Sequence, residues 1–342
     1  DEVWKLTGRG NNVAIVSDGT AVLGLGNIGP EAAMPVMEGK AVLFSEFGGV
    51  DAFPMCINSK SVEETINFVK MIAPTFGGVN LEDIAAPECF EIEEKLQEIG
   101  IPVFHDDQDG AAIVTLAALI NAAKVTGRRM ASLRVVIMGA GAAGAATAWL
   151  LSGREKWVAS KKVSNLFFNP PSDIIVVDSH GIIDDTRADL TSWKKMLASV
   201  TNKGNKRGTI EDALLGADVF IGLSTGGKLT LKQIALINKN PIIFALANPN
   251  PEIMPNDANK SGASIVATGR SDFPNQINNA LCFPGLFRGI LDSKIQRVTS
   301  ELKYAAARAI AETVVPTRGQ ILPSVLDKKV HQNVAQSVKQ AL

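Results

Sequence analysis

The chain has 342 residues, with 34 lysines and arginines against 35 aspartates and glutamates, and its formal net charge is -1. This balance argues against a nucleic-acid or membrane-surface partner. The length predicts two domains, and a hydrophobic content of 46% is enough for sizeable buried cores. The most apolar run, near Ala111–Ala123, is well short of the ~18–20 residues that a membrane-spanning helix needs.

The cysteines Cys56, Cys89 and Cys282 are odd in number and scattered along the chain. They form neither a disulfide framework nor a zinc motif, so we expect all three to be core residues of a protein in the reducing cytoplasm. The chain starts at Asp1 and not at a methionine. We therefore expect the sequence to begin inside a longer native chain, whose missing start could have carried a targeting segment.

Short β-rich runs alternate with helical stretches in the first third of the chain, which is typical of an α/β fold with a parallel sheet. Ser61 and Glu64 have the spacing of a capping box. We assign residues 1–108 to a first domain. Its predicted strands are Asn12–Ser17, Ala41–Ser45, Pro54–Ile57, Gly78–Leu81 and Pro102–Phe104, and its predicted helices are Ser61–Met71 and Pro87–Glu98.

A long predicted helix, Gly110–Val125, leads into a second domain, which we assign to residues 109–290. Two segments, Ser152–Asp173 and Thr201–Gly208, are interpreted as surface loops. Residues 291–342 are predicted to be helical and to pack back on the first domain. The predicted strands of the second domain are Leu133–Met138, Ile174–Asp178, Val219–Gly222, Ile242–Ala245 and Ser264–Ala267, and the helix Ala142–Leu151 follows the first of them.

Three glycines, Gly139, Gly141 and Gly144, stand between a predicted strand and a predicted helix. In that order they allow a tight turn, a close approach of the backbone to a pyrophosphate and close helix–strand packing. The helix N-terminus then faces the phosphates with its positive end. The motif alone is weak, but its position predicts a Rossmann-like domain that binds NAD or NADP.

An acidic residue should end the next strand, and Asp178 does so 34 residues after Gly144. The usual spacing is about 20 residues, and the segment Ser152–Asp173 accounts for the difference. A carboxylate there can bind ribose hydroxyls and would repel a 2′-phosphate. Asp178 therefore favours NAD over NADP, with NADP still possible because His180 is close by.

Two acidic pairs follow neighbouring predicted strands: Glu82 with Asp83, and Asp106 with Asp107. If these strands are parallel, both pairs lie at the same carboxyl edge, where α/β sheets bind ligands. Crowded carboxylates of this kind suit Mg²⁺ or Mn²⁺ and not zinc. The residues themselves leave two interpretations about even: a metal site, or capping and surface acids, with Asp107 as a helix N-cap.

Several stretches together resemble the malic enzyme family, in particular its smaller bacterial and archaeal type. Their number and order make the resemblance specific, and it extends from about Asn12 to the C-terminus. The stretches are Ser17–Gly29 (SDGTAVLGLGNIG), Val36–Lys40 (VMEGK), Leu81–Ile84 (LEDI), Phe104–Gln108 (FHDDQ), Ala245–Pro249 (ALANP), Ala267–Asp272 (ATGRSD), Pro274–Asn279 (PNQINN) and Phe283–Gly285 (FPG).

The resemblance implies metal ligation by Glu82, Asp83 and Asp107. It implies that Lys40 is the general base, or part of an acid–base pair, with Asp106 beside it. A lysine among charges can have its pKa lowered enough to act as a base.

The resemblance also implies that Asn248 and Asn279 hold malate near the nicotinamide. Asn248 is assigned to the cofactor as well, together with Asn278. The glycines Gly139, Gly141 and Gly144 match the family's dinucleotide loop, and a homodimer is expected from the family.

The sequence also departs from the family pattern. The family's proton-donating tyrosine should lie before Asp1, and the only tyrosine in this chain is Tyr304. Ala21 stands where larger animal-type members carry an arginine. Asp109 stands where histidine or glutamine is more usual, and it adds negative charge beside the expected metal site.

The resulting prediction is a fold with two α/β domains and a metal-dependent enzyme that converts L-malate to pyruvate and carbon dioxide with reduction of NAD(P). One alternative is a malolactic-type enzyme, which keeps its NAD and releases lactate. Another is a non-catalytic NAD-binding homologue. A further alternative is a dehydrogenase for amino acids, which would not need the acidic cluster.

Overall fold

The structure is a computed structural model that describes residues 2–156, 158–163 and 168–341. The chain divides into two compact units and passes between them more than once. The first unit comprises Asp1–Gly110, Asn279–Thr313 and Val325–Leu342, and the second comprises Ala111–Asn278 and Val314–Ser324.

The regular elements alternate along the chain, as an α/β fold requires. The strands are β1 (Asn12–Ser17), β2 (Asp51–Cys56), β3 (Gly78–Leu81), β4 (Val103–His105), β5 (Arg134–Met138), β6 (Arg154–Glu155), β7 (Val158–Lys162), β8 (Asp173–Asp178), β9 (Gly181–Ile182), β10 (Val219–Gly222), β11 (Ile242–Ala245) and β12 (Ile265–Thr268). The helices are α1 (Glu2–Leu6), α2 (Gly29–Gly48), α3 (Val62–Ile72), α4 (Glu88–Leu96), α5 (Ala111–Val125), α6 (Ala142–Leu151), α7 (Ser192–Val200), α8 (Ile210–Leu214), α9 (Leu231–Ile234), α10 (Pro255–Lys260), α11 (Phe283–Ser293), α12 (Ser300–Glu312) and α13 (Lys328–Gln340).

The sheet of the first unit is parallel and has the strand order β2-β1-β3-β4. The chain leaves β1 toward one edge of the sheet and β3 toward the other. The carboxyl ends of β1 and β3 therefore meet at a topological switch point, which is where open α/β sheets bind ligands.

The predicted strand Ala41–Ser45 is wrong, because these residues lie inside α2. Helix α2 buries Ala33, Met37, Lys40 and Phe44, a spacing of three and four residues that matches a helix. Val42 is 64% exposed. A short apolar run is ambiguous between strand and helix, and here the longer helical period decides.

The C-terminal helices α11, α12 and α13 belong to the first unit. Phe44 of α2 lies 4.8 Å from Phe283 and 5.3 Å from Phe287, measured between ring centroids, and Phe104 lies 5.9 Å from Phe287. Helix α11 therefore covers residues that come from α2 and from β4. The core of the first unit combines the beginning and the end of the sequence.

The sheet of the second unit has the order β12-β11-β10-β5-β8-β9. Its strands are parallel except β9, which pairs antiparallel with β8 at the edge. The central strands are buried on both faces, in keeping with their continuous runs of valine, isoleucine and phenylalanine. The chain changes direction between β5 and β10, so this sheet also has its switch point at the carboxyl ends of central strands.

Three further local predictions are confirmed only in part. Segment Ser152–Asp173 is not entirely a loop, because it contains the β6–β7 hairpin; its residues 157 and 164–167 lie outside the described part of the chain. At Ser61 the side chain accepts the amide of Glu64 (3.2 Å), but the Glu64 carboxylate accepts from Lys60 N and not from Ser61. Cys89 and Cys282 are buried, whereas Cys56 is partly exposed. Across the described residues, no helix is long and apolar enough to cross a membrane.

Candidate active site

Strand register brings the acidic pairs of the first unit together. Leu81 pairs with Val16 on one side and with His105 on the other, so the residues that follow these strands are neighbours. The amide of Glu82 donates to Val16 O (2.9 Å), which continues the ladder one residue beyond β3. Glu82 and Asp106 thus emerge side by side at the carboxyl edge of the sheet.

Glu82, Asp83 and Asp107 form one carboxylate cluster, with an oxygen of each within 4.8 Å of the others. Asp83 has a positive φ of 53°, which is uncommon for a residue other than glycine. Its amide donates to Asp107 Oδ2 at 2.7 Å, and its carbonyl accepts from Ala21 N at 2.9 Å. These hydrogen bonds fix the backbone turn that aims Asp83 at its neighbours.

Lys40 reaches this cluster from α2. Its Nζ lies 2.6 Å from Asp106 Oδ2 and 2.8 Å from Glu82 Oε2, and 3.9 Å from the ring centroid of Phe283. Lys40 is only 7% exposed, and Asp106 only 1%. A buried ammonium held by two carboxylates and an aromatic face has a defined position from which it can exchange a proton.

Residues Asp106–Gly110 form a π-helical turn between β4 and α5. Such turns are rare and occur frequently at functional sites. A Cβ on Gly110 would lie 1.9 Å from Asp106 Oδ1, so any other residue there would displace the Asp106 carboxylate. The side-chain amide of Asn279 donates to the carbonyl of Asp106 at 3.2 Å. The structure therefore places Asn279 in the first unit with the acidic cluster.

Burial and mutual repulsion raise the pKa values of these acids. Burial raises the pKa of Glu82 to about 8, with Asp107 and Asp106 adding to the rise against Lys40. Burial together with Glu82 raises the pKa of Asp83 to about 7, and burial with Asp83 and Asp106 raises the pKa of Asp107 to about 7. Without a cation, the cluster holds its charges only at a cost in free energy.

The pKa of Lys40 changes in the direction opposite to the one expected from the sequence. Burial lowers it, but the charges of Asp106 and Glu82 raise it further, so that the pKa of Lys40 lies above its ordinary value. In the metal-free site Lys40 is therefore held as an ammonium. A general base at this position needs additional positive charge nearby to release its proton.

A second buried ion pair supports the π-helical turn and was not anticipated. Lys303 of α12 places its Nζ 2.6 Å from Asp109 Oδ2, and the two side chains are 7% and 4% exposed. Asp109 is the residue whose extra negative charge the family pattern does not explain. In the structure this negative charge is paired with Lys303, which lies 194 positions later in the sequence. No local sequence pattern indicates this pairing.

In the second unit, the three glycines lie between β5 and α6. Gly139 has a φ of 117°, and a Cβ on Gly144 would lie 1.9 Å from Gly139 O, so both positions are restricted by the protein itself. Gly141 is the N-cap residue of α6, and within the described part of the chain no atom other than those of its chain neighbours lies within 4 Å of a Cβ added there. The space beside Gly141 is the opening that a bound pyrophosphate would need.

Asp178 ends β8, but its carboxylate is already paired. Arg187 donates to both of its oxygens (2.9 and 3.1 Å), and Lys194 Nζ lies 2.5 Å from Oδ2. Burial raises the pKa of Asp178, and the hydrogen bonds from Arg187 and Lys194 outweigh it, leaving the pKa below its usual range. Two cations next to Asp178 weaken the repulsion of a 2′-phosphate on which the NAD preference was based.

The remaining expected ligands are in the second unit. Asn248 follows β11, where its side-chain amide donates to Leu246 O at 3.3 Å and lies against Gly269. Arg270 pairs with Asp272 (2.7 Å) and donates to Pro249 O (3.1 Å), so the pair supports this loop. Asn278 is partly exposed at the end of the unit. The structure thus divides the neighbouring residues Asn278 and Asn279 between two units.

Comparison with known proteins covers nearly the whole chain. A family model described as malic enzyme, N-terminal domain, matches residues 3–97, and one described as malic enzyme, NAD binding domain, matches residues 108–342. A bifunctional malic/malolactic enzyme of Bacillus subtilis is 51% identical over 100% of this chain and 81% of its own length. An NAD-dependent malic enzyme of Geobacillus stearothermophilus is 49% identical over 99% of this chain and 69% of its own length.

Solved structures agree with the sequence matches. The NAD-dependent malic enzyme of Thermotoga maritima superposes with a TM-score of 0.91 at 44% identity, over 99% of this chain and 86% of that one. The malic enzyme of Pyrococcus horikoshii gives a TM-score of 0.90 at 46% identity, over 99% and 78%. With both family domains matched in order and the fold shared along the chain, this protein belongs to the malic enzyme family.

Proposed function

We propose that this protein catalyses the divalent-metal-dependent oxidative decarboxylation of L-malate to pyruvate and carbon dioxide with reduction of NAD, NADP being a second cofactor. The observation that carries the proposal is the partly buried cluster of Glu82, Asp83 and Asp107 next to the buried Lys40–Asp106 pair. The names of the relatives agree with it, because they include both NAD-dependent and NADP-dependent malic enzymes.

The acidic cluster fits a hard divalent cation. It offers oxygen ligands only, as Mg²⁺ and Mn²⁺ prefer. Asp83 Oδ2 is buried without a hydrogen-bond partner among the described residues, and the pKa values of all three acids are raised, so the protein itself does not satisfy the cluster. A cation held by Glu82, Asp83 and Asp107 would act as a Lewis acid on the oxygen at C2 of malate.

The glycine loop fits a nicotinamide dinucleotide. The opening at Gly141, at the N-terminus of α6, would hold the pyrophosphate, and the carboxyl end of β8 would hold the adenosine ribose. When bound, the nicotinamide accepts the hydride from C2. Asp178 can still accept a ribose hydroxyl, while Arg187 and Lys194 offset its charge. This arrangement supports the binding of NAD and is also compatible with the binding of NADP.

Lys40 is proposed as the general base for the C2 hydroxyl proton, and Asp106 as the residue that holds it in place. The positive charge of a bound cation lowers the pKa of Lys40, which the acids otherwise raise. Asn248 and Asn279 are proposed to donate hydrogen bonds to the malate carboxylates, with Asn248 and Asn278 also next to the cofactor. An acid must then protonate C3, after carbon dioxide has left.

A second candidate reaction is malolactic, which keeps the NAD bound and releases lactate. The Bacillus subtilis relative, at 51% identity, is named as a bifunctional malic/malolactic enzyme. Both reactions use the same bound substrate, so the residues of the site do not distinguish the two reactions. The products of the two reactions distinguish them.

The experiment follows NADH and NADPH formation from L-malate by the full-length protein, with Mn²⁺ and with a chelator, and identifies the products. Metal-dependent reduction with pyruvate as product is expected. Lactate without free NADH would assign the malolactic reaction. Cofactor binding without turnover would assign a non-catalytic homologue, and full activity in chelator would remove the metal from the proposal.

We also propose a cytoplasmic homodimer. None of the three cysteines, which all lie in the described part of the chain, is in a disulfide, and this suits a reducing compartment. Leu23, Leu25 and Met71 of the first unit are 70%, 67% and 73% exposed, and large exposed apolar side chains are common in protein interfaces. Sedimentation equilibrium should give twice the chain mass. The mass of a single chain at micromolar concentration would exclude the dimer.

A further inference from the structure

Glu252 is a fully buried carboxylate in the second unit, with 0% of the residue exposed. Its Oε1 accepts the amide of Ser224 (3.0 Å), and its Oε2 accepts the amide of Ala247 (3.1 Å). Among the described residues, no lysine or arginine forms an ion pair with it. Burial raises the pKa of Glu252 against these amide hydrogen bonds. A buried charge without a counter-ion is costly, so its presence at this position calls for an explanation.

The two amides belong to two different loops. Ser224 follows β10, and Ala247 follows β11 directly before Asn248. Strands β10 and β11 are parallel neighbours, so the Glu252 carboxylate bridges their carboxyl ends. Open α/β sheets bind their ligands at this edge.

The backbone around Glu252 strengthens the same bridge. Leu246 N donates to Gly222 O (3.0 Å), and Gly227 N donates to Pro251 O (3.0 Å). A Cβ on Gly226 would lie 2.4 Å from Asn250 O, so the two loops are in close contact. The loop after β10 and the loop that carries Asn248 therefore form one fixed layer.

This layer continues to the dinucleotide loop. Leu223 N donates to Met138 O at 2.8 Å, and a Cβ on Gly139 would lie 2.4 Å from Leu223 O. A direct sequence of contacts thus runs from Gly139 through Leu223 and Ser224 to Glu252, and from Glu252 to Ala247. It ends at Asn248, the proposed ligand of malate.

Gly222, the last residue of β10, leaves space for the Glu252 carboxylate. A Cβ on Gly222 would lie 2.3 Å from Cδ of Glu252, so a side chain there would displace the carboxylate. Only a carboxylate suits this position, because both of its oxygens face N–H donors. A glutamine would place an NH₂ group against one of the two amides and lose that hydrogen bond.

We propose that Glu252 is a positioning residue for the reaction, whose carboxylate keeps Asn248 in register with the dinucleotide loop. The inference rests on the proposed function, in which Asn248 binds malate and the glycine loop binds the cofactor. Because the carboxylate acts on backbone amides and not on ligands, its loss should misplace a substrate ligand without removing any ligand. Misplacement of about 1 Å can lower a rate about 100-fold.

The test compares Glu252→Gln and Glu252→Asp with the wild type and with Glu211→Gln, an exposed acid of the same unit. We measure kcat and KM for malate, the kinetic isotope effect with malate deuterated at C2, and NAD binding by calorimetry. For Glu252→Gln we expect kcat/KM to fall about 10- to 100-fold with a larger isotope effect, because hydride transfer becomes slower. Glu252→Asp, which keeps the charge, should recover part of the loss, and Glu211→Gln should behave as the wild type.

A purely structural role gives a different result. If Glu252→Gln lowers the melting temperature or the active fraction but leaves KM and the isotope effect unchanged, the proposal is overturned. If that variant does not fold, Glu252→Asp is measured with the same expectation, and failure of both to fold also assigns a structural role. If the wild-type protein binds NAD but does not oxidise malate, the proposed function is contradicted. The inference about Glu252, which rests on that function, then fails with it.

Discussion

The two units prepare their ligand sites by opposite means. The first unit concentrates acidic side chains after β3 and β4, and buries a lysine of α2 beside them. The second unit shapes its strand ends with backbone, through glycines at positions where no side chain fits. The acidic side chains of the first unit can hold a cation, whereas the glycine loop of the second unit leaves space for a ligand beside Gly141.

The difference shows how each site can be damaged. A charge cluster depends on electrostatic balance, so a change that removes one charge alters the pKa values of its neighbours. A backbone site depends on excluded volume, so the addition of a single methyl group is the informative change.

The largest effect is expected from Lys40→Met. It removes the proposed base, and kcat should fall by about 10²- to 10⁴-fold, the usual contribution of general acid–base catalysis. NAD binding, measured by calorimetry, should persist because the glycine loop belongs to the other unit. The matched control is Lys95→Met, an exposed lysine of α4, which should leave kcat unchanged. A near-normal kcat for Lys40→Met would show that another group is the base.

The second-largest effect is expected on the stability of the protein when the Lys303–Asp109 ion pair is broken. Lys303→Met takes the ammonium group away from the buried Asp109 carboxylate, which should lower the free energy of unfolding by about 3–5 kcal/mol in urea titrations. The double variant Lys303→Met/Asp109→Leu should recover much of this loss, because it removes both charges. Equal losses in the single and double variants would indicate that packing, and not charge, dominates at this site.

A smaller effect separates two glycines of the dinucleotide loop. Gly141→Ala places its methyl group where, apart from the chain neighbours, no atom of the described residues lies within 4 Å, so the melting temperature should hardly change. NAD binding should nevertheless weaken by about 1–3 kcal/mol, or roughly 5- to 150-fold in Kd, because the methyl group blocks the pyrophosphate. Gly144→Ala should instead lower the melting temperature. If Gly141→Ala binds NAD normally, the opening is not the pyrophosphate site.

The smallest effect is a pH dependence of the metal-free protein. Glu82, Asp83 and Asp107 have folded pKa values near 8, 7 and 7, above those of the unfolded chain. Between about pH 4 and pH 8 the folded state therefore binds more protons, and its stability falls as the pH rises. In chelator, the melting temperature should be a few degrees lower at pH 8 than at pH 6. Mn²⁺ should remove the difference, and an opposite slope in chelator would contradict the assigned pKa shifts.

Much of the fold could be predicted because both units follow periodic rules. The central strands of the second unit and helix α6 lie at or within a residue of their predicted positions, since buried strands and the glycine motif are local signals. The acids after β3 and β4 were also predictable, because parallel strands end at one edge. Helix α2 was partly misassigned because its apolar run around Phe44 is short and ambiguous.

Other parts of the candidate site depend on contacts between distant residues. Lys40 was identified only through its family motif, since one lysine on a helix carries no local sign of burial. Lys303 and Glu252 were missed because their partners, Asp109 and Ser224, are far away in the sequence. Asp178 was correctly placed at a strand end, but its pairing with Arg187 and Lys194 depends on how the following loop folds.

The packing of α11 against Phe44 and Phe104 has a consequence for biosynthesis. When residues 1–110 leave the ribosome, Phe283 and Phe287, which cover those two rings, have not yet been made. The strands of the second unit lie between residues 134 and 268, so its sheet can assemble while the first unit still exposes apolar surface. Residues 1–110 are thus synthesised before the second unit but complete their core after it, and premature termination before α11 would release a chain prone to aggregation.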